Sequence, residues 1–166
     1  TEIAVYSLNG LCLSRSVRQG GLALDAALAE FLHSKYHFLI GGQTAEHLKR
    51  QLAPKLNENT CPLDMIVVKG RDVHKGGPAG LTLAASEFLP VFEKHVAPLV
   101  EATLSVLGEL TPELAADLVA DTIVMSGGGA CVKLFAQKLS SESGVAVTVA
   151  ENEALCVSKG LEQLLG

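Results

Sequence analysis

Thr122-Ile123-Val124-Met125-Ser126-Gly127-Gly128-Gly129-Ala130 is the stretch whose reading decides the fold. A β-rich run, Thr122 to Met125, passes into consecutive glycines and then into a segment from Ala130 to Leu139 with helical spacing of its apolar residues. Val145 to Val149 reads as a second strand and Glu153 to Leu165 as a second helix. Strand and helix alternating in this way imply a parallel βαβ unit with a right-handed crossover. Ligands in such sheets sit at the carboxyl ends of strands, where Ser126 to Ala130 falls. Bare main chain lets a ligand approach within contact distance, and helix-start N–H groups face it. Three glycines between strand and helix also serve as a tight turn without any ligand, and no G-K-[ST] follows to make a P-loop.

Working upstream, Thr111-Pro112-Glu113 combines a capping hydroxyl, proline at the first helical position and an acid near the positive helix end, so a helix runs from there to about Ala120. Ser86-Glu87 opens a long helix through Leu99, Val100, Leu104 and Leu107, with Pro98 removing one backbone donor and Gly108 closing it. Leu63 to Val68 and Leu81 to Ala85 are strand-like, joined by a charged, glycine-rich loop from Lys69 to Gly80. Thr44 is the expected cap of a helix carrying Ala45, Leu48 and Leu52 and stopped by Pro54. Leu24, Leu28, Phe31 and Leu32 mark one face of a helix that follows Gly20-Gly21 and ends between His33 and His37. The chain opens with a hairpin: Ile3 and Val5 pair with Leu11-Cys12-Leu13 around a turn at Asn9-Gly10.

The 166 residues are 48% hydrophobic and 19% charged, enough to bury a sizeable core as one domain or two small lobes. A net charge of -5 argues against a nucleic-acid partner, which needs clustered Lys and Arg. No apolar run approaches the roughly 20 residues that span a bilayer. Cys12, Cys61, Cys131 and Cys156 lie far apart in apolar surroundings without a C-x-x-C pair, and read as buried free thiols.

Three further places could carry chemistry. Glu46 and Lys49 are three apart on one helix face, where an acceptor and a donor could grip a ribose and a base edge; charged pairs at this spacing are also ordinary solvated surface. Gly20-Gly21 ahead of a helix, with Asp25 read as lying in its first turn, offers backbone approach, or simply a turn with a dipole partner. His33 and His37 are four apart but lack a third ligand of suitable type, so no metal is assigned. Ser14, Ser16 and Ser140-Ser141 have neither a nucleophile elbow nor a base, and no catalytic residue is assigned.

Taken in order, these pieces resemble the second half of the MreB family, the bacterial actins. Thr1-Glu2-Ile3-Ala4-Val5 with Ser7-Leu8-Asn9-Gly10 is similar to the hairpin after the family's second phosphate loop, and Ser16-Val17-Arg18-Gln19-Gly20-Gly21 to its exit. Leu39-Ile40-Gly41, Thr44-Ala45-Glu46 and Lys49 resemble the small-lobe nucleotide helix, while Gly70-Arg71-Asp72 and Leu81-Thr82-Leu83 follow its sheet. Ser126 to Ala130 is similar to the adenosine motif, preceded by Thr111-Pro112-Glu113-Leu114-Ala115; Glu151 to Ala154, Cys156-Val157 and Gly160 resemble the second connecting segment.

The resemblance implies an α/β chain of the actin-like, ribonuclease-H-related fold, equivalent to subdomains IIA and IIB: a mixed sheet with flanking helices and a small inserted α/β subdomain. The larger lobe would hold residues 1–20 and 86–166, the smaller one 21–85. It further implies that Gly127, Gly128 and Gly129 approach adenine and the α-phosphate side across a cleft from Glu46 and Lys49, with Gly20 and Gly21 toward the phosphates. Leu22 stands where the family commonly has a polar or charged residue.

No D-x-G-[GT] segment occurs, so both aspartate-led phosphate loops and the hydrolytic carboxylate would lie outside the chain, with Thr1 just after the second loop. This chain alone would then neither hydrolyse ATP nor retain it, while the intact parent would bind ATP with Mg2+. Implied partners are identical subunits in a filament and a RodZ-like membrane-anchored protein, with membrane reached only through the absent half of a cytoplasmic, membrane-proximal protein. Two alternatives stay open: a non-cycling scaffold or filament-capping lobe, and the ATPase lobe of a related chaperone or magnetosome-type actin.

Overall fold

The computed structural model describes residues 1–8, 10–56 and 64–165. The chain divides into two compact units, one of Thr1–Gln19 with Val96–Gly166 and the other of Gly20–His95. The sequence reading put its boundaries at Gly20 and Ser86; these units change over between Gln19 and Gly20 and, inside the long helix, between His95 and Val96.

In the first unit, β1 (Glu2–Ser7) and β2 (Gly10–Ser16) form an antiparallel hairpin with a register shift at Val5/Tyr6. Gly10 pairs with Ser7 and so belongs to the strand, while Leu8 takes a left-handed φ of 50°. The turn was expected at Asn9-Gly10; Asn9 lies outside the described residues. Arg15 anchors the hairpin by donating to Ser105 Oγ at 2.7 Å and to Glu109 at 2.5 Å.

The second unit begins with α1 (Gly21–Tyr36), whose Leu24, Leu28 and Leu32 are buried as their spacing requires. Asp25 is one position too late to lie in the first turn, which contains no acid. β3 (Phe38–Leu39) leads into α2 (Gly42–Leu52), which buries Ala45, Leu48 and Leu52. Gly41, not Thr44, is the N-cap: its extended backbone (φ -84, ψ 166) lets its carbonyl accept from Ala45 at 3.0 Å and close the first turn earlier than a Thr44 cap would.

β4 (Met65–Asp72) and β5 (Pro78–Ala84) are longer than expected, because most of the stretch from Lys69 to Gly80 is strand. Asp72 makes the short connection possible by accepting from the amides of His74 and Lys75 at 2.9 and 3.0 Å. β3 adds to β4 through Phe38↔Asp72 and Leu39↔Arg71, giving the sheet order β3-β4-β5. Leu63, expected to start a strand, and Cys61 lie outside the described residues.

A 3₁₀ turn (Ala85–Phe88) takes the place of the helix start expected at Ser86-Glu87, and α3 (Leu89–Gly108) follows with Pro98 inside it. Ala85 is held by donating to the Asp64 carbonyl at 2.6 Å, which ties this turn to the sheet before the α-helix can begin. In the first unit, α4 (Pro112–Val119) starts as its signals require, with Thr111 Oγ1 accepting from Leu114 at 3.4 Å.

β6 (Thr122–Met125) and β7 (Ala146–Val149) pair in parallel, flanking a 3₁₀ turn (Gly128–Cys131) and α5 (Lys133–Ser143). Gly144 ends α5 with φ +69. α6 (Cys156–Leu165) starts three residues after the expected Glu153 and buries none of its residues. Among the described residues the first unit's strands form two separate two-stranded sheets, β1-β2 and β6-β7, one antiparallel and one parallel. Cys12, Cys131 and Cys156 are in no disulfide, but none is buried as expected: Cys131 and Cys156 are half-buried, and Cys12 is exposed because its side of β2 is open to solvent. No described helix is long and apolar enough to cross a membrane.

The tightest fit lies where β3 crosses β4. A methyl added at Gly70 would press on the Leu39 carbonyl oxygen, a main-chain atom, and would lie 2.6 Å from the ring of Phe38, a buried side chain. Gly70→Ala should therefore destabilise by about 1–3 kcal/mol in urea unfolding through overpacking, while Gly80→Ala, whose Cβ would touch only Val67 Cγ1 at 3.8 Å, should cost less. Equal midpoints for the two variants would refute this account of the crossing.

Candidate functional site

The glycine turn is built from β6 upward. Met125 is buried at the strand's end although Val124 is exposed, so the strand is only partly covered. Beyond it Gly127 adopts φ +79 and ψ 175, a region that essentially only glycine occupies. Its amide donates to the Glu153 carbonyl at 2.7 Å, and its own carbonyl accepts from Ala130 at 3.0 Å. The Ala150 amide bonds the Met125 carbonyl at 2.9 Å, so the segment after β7 runs against the turn. Cys131 completes the clip by donating Sγ–H to Glu153 Oε1 at 3.1 Å, a bond that heads the causes holding this half-buried carboxyl below its ordinary range.

Gly128 and Gly129 differ from Gly127. Both are exposed, neither has a positive φ, and a Cβ at either would meet nothing within 4 Å. Their amides, at the start of the 3₁₀ turn, donate to no acceptor among the described residues. The turn as a folded object thus needs a glycine at Gly127 alone. The α-helix itself begins only at Lys133, beyond Val132, rather than at Ala130.

The other candidates all lie in the second unit. Glu46 is exposed and pairs with Arg50 at 2.7 Å, one turn along α2. Lys49 turns instead to α1: its ammonium donates to Asp25 Oδ2 at 2.9 Å and to the Gly21 carbonyl at 3.1 Å. Glu46 and Lys49 share a helix but not a partner. Side-chain exposures of 19% for Lys49 and 13% for Asp25 make theirs the most sheltered ion pair described. Gly20 is extended (φ -159) and gives its carbonyl to Leu24 as N-cap of α1, and Leu22 beside it is exposed. Asp25 as the partner of Lys49 was not foreseen, because 24 residues separate them and no spacing rule links two helices.

His95 is also buried, and burial first, then the Lys49 charge, holds its imidazole below the ordinary value of 6.5. His37, at the end of α1, packs its ring edge-on against His74 with centroids 4.6 Å apart, away from any pairing with His33. Among the described residues no group of three or more His, Cys, Asp or Glu side chains could hold a metal. Two shallow grooves between α2 and β4, of about 460 and 430 Å³, are lined from the His47 and Gln51 side of α2, and none of the candidate residues borders them.

The sequence profile of the MreB/Mbl protein family matches residues 1–166. The chain belongs to the MreB/Mbl family. It is 37% identical over 163 residues to the cell shape-determining protein MreB of Escherichia coli (strain K12), covering 96% of this chain and 46% of that protein. It is 33% identical over 165 residues to the cell shape-determining protein Mbl of Bacillus subtilis (strain 168), covering 99% of this chain and 49% of that one. This MreB/Mbl chain therefore spans about half the length of the curated relatives it matches.

The crystal structure of MreB5 of Spiroplasma citri bound to ADP superposes with TM-score 0.90 at 23% identity, covering 98% of this chain and 49% of that one. The MamK double helical filament superposes with TM-score 0.66 at 17% identity, covering 88% of this chain and 46% of that one. These likenesses establish the actin-like fold expected from the sequence.

Two measurements check the local chemistry. Gly127→Ala should destabilise by about 1–3 kcal/mol, because alanine is strained at its φ and ψ, whereas Gly128→Ala should change stability by no more than about 0.5 kcal/mol; comparable losses in thermal unfolding would refute the distinction. For His95 the folded value lies below the unfolded one, so the stability present above about pH 6.5 is lost as pH falls and the unfolded chain takes up a proton that the fold refuses. His95→Gln should flatten the loss of unfolding free energy between pH 7 and about pH 5, and an unchanged slope would show that His95 is not its source.

Proposed function

We propose that this chain is the nucleotide-gripping half of an MreB-like bacterial actin, with Gly127, Gly128 and Gly129 lying along the adenosine and Glu46 and Lys49 reaching ribose and base from the other unit. Gly20 and Gly21 lie toward the phosphates in this reading. The intact protein binds ATP with Mg2+, assembles with identical subunits into filaments, and maintains bacterial cell shape from the cytoplasmic side of the membrane. A RodZ-like membrane-anchored protein is its partner there. In the intact protein ATP and its hydrolysis product favour different conformations, so hydrolysis by residues beyond this chain shifts the population.

The single observation that carries the reading is the pair of bare, exposed amides at Gly128 and Gly129, where neither backbone conformation nor packing calls for a glycine. Absence of side chains there is accounted for by a ligand that comes against the main chain. Further support comes from similar proteins: the MreB5 structure is described as bound to ADP, and the MamK structure as a double helical filament.

The test uses the full-length gene product that contains this chain. Calorimetric titration with Mg-ATP should give saturable heat, and Gly128→Val should weaken binding by about tenfold or more while leaving the unfolding midpoint unchanged. Sedimentation should show ATP-dependent pelleting. Absence of saturable heat would eliminate the ATPase reading in favour of a non-cycling scaffold, and saturable binding without pelleting would favour a monomeric chaperone-type lobe.

A further inference from the structure

Lys49 and Asp25 form a closed unit. The ammonium has three N–H donors, of which one goes to Asp25 Oδ2 at 2.9 Å and a second to the Gly21 carbonyl at 3.1 Å. A Cβ at Gly21 would sit 3.0 Å from Lys49 Nζ, so the main chain at the start of α1 is packed against the ammonium itself. Asp25 Oδ1 is buried and has no hydrogen-bond partner among the described residues. An ion pair with one idle carboxylate oxygen is not optimised for stability, since each unsatisfied buried acceptor costs free energy. Burial holds the neighbouring His95 below its ordinary range, and the carboxylate that offsets Lys49 is that of Asp25, 2.9 Å away.

We propose that Asp25 is a positioning residue that clips Lys49 so that a single N–H remains for the ligand, and that the preference of this N–H for the ribose assigned to it above, over a phosphate, depends on Asp25. This rests on the nucleotide reading above and adds what that reading lacks: the reason a lysine can sit at the adenosine end of the ligand without competing for its phosphates. A free lysine is a mobile point charge that follows the most negative group within reach. A lysine neutralised by Asp25 and braced by the Gly21 carbonyl offers one directed hydrogen bond instead.

The experiment has one arm without nucleotide and one with it. In the first, acetylation of Lys49 in the full-length protein is followed by mass spectrometry; Asp25→Asn should raise its rate several-fold while that of the exposed, unclipped Lys159 stays constant. An unchanged Lys49 rate overturns the clip whether or not the protein binds nucleotide. In the second arm Mg-ATP and adenosine are titrated into wild type, Asp25→Asn, Lys49→Met and the double variant.

The expected results are a loss of about tenfold in adenosine affinity for each single variant and no further loss in the double variant. Gly21→Ala, which presses on the ammonium without altering charge, should lower affinity in the same direction and guards against Asp25→Asn simply failing to fold. If wild type binds and Asp25→Asn keeps wild-type affinity for adenosine, Asp25 does not position Lys49 and the proposal falls; additive losses in the double variant overturn it equally. Wild type that binds neither ligand refutes the nucleotide reading, not the clip, which the acetylation rate decides alone.

Discussion

The positive φ of Gly127 is the constraint on which the first unit's connecting segments depend. At φ +79 and ψ 175 the chain reverses out of β6 at Gly127, whose own amide donates to the Glu153 carbonyl 2.7 Å away. That bond reaches 26 residues along the sequence and brings the segment after β7 against the turn. With it come Cys131 and Glu153, whose side chains close the same junction. A residue with a Cβ would resist that conformation, and the exposed Gly128 and Gly129 would be carried elsewhere with it.

How much of this was legible depends on how far the deciding interaction reaches. Helical spacing located α1 and α2 and their buried leucines, because a period of 3.6 is written into neighbouring residues. Thr111-Pro112 located α4 for the same reason: a capping hydroxyl and its amide are three residues apart. The failures came where a distant partner set the boundary. β3 is two residues long and exists because Phe38 and Leu39 meet Asp72 and Arg71. The Lys69–Gly80 stretch looks like a loop by composition, yet pairing with the opposite strand carries most of it into the sheet. Thr44 has the chemistry of a cap, and the turn closed earlier at Gly41.

The site was legible in part for the same physical reason. Three glycines in a row announce bare main chain, but sequence alone cannot divide them into one that the turn demands and two that it does not; φ and neighbour distances do. Spacing on α2 put Glu46 and Lys49 on one face, and the structure gives each a different partner, Arg50 along the helix and Asp25 on another helix. Asp25 itself looked like an acid placed for a helix dipole. Its position, one residue past the first turn, frees it for Lys49.

Charge bookkeeping over the candidate residues connects the site to the kind of ligand it suits. The glycines contribute amides and no charge, Glu46 is offset by Arg50, and Lys49 by Asp25, so the set is close to neutral in a chain of net charge -5. A polyphosphate is poorly matched by such a set, since desolvating several negative charges calls for cations or a metal held by carboxylates. The aspartate-led loops that would supply this do not occur in these 166 residues. The adenosine moiety of the proposed ligand asks for something else, since flat base and sugar hydroxyls need contact area and a few directed donors. On the proposed reading the two ends of the nucleotide are therefore served by different physics: shape and single hydrogen bonds from this chain, and charge from elsewhere in the intact protein.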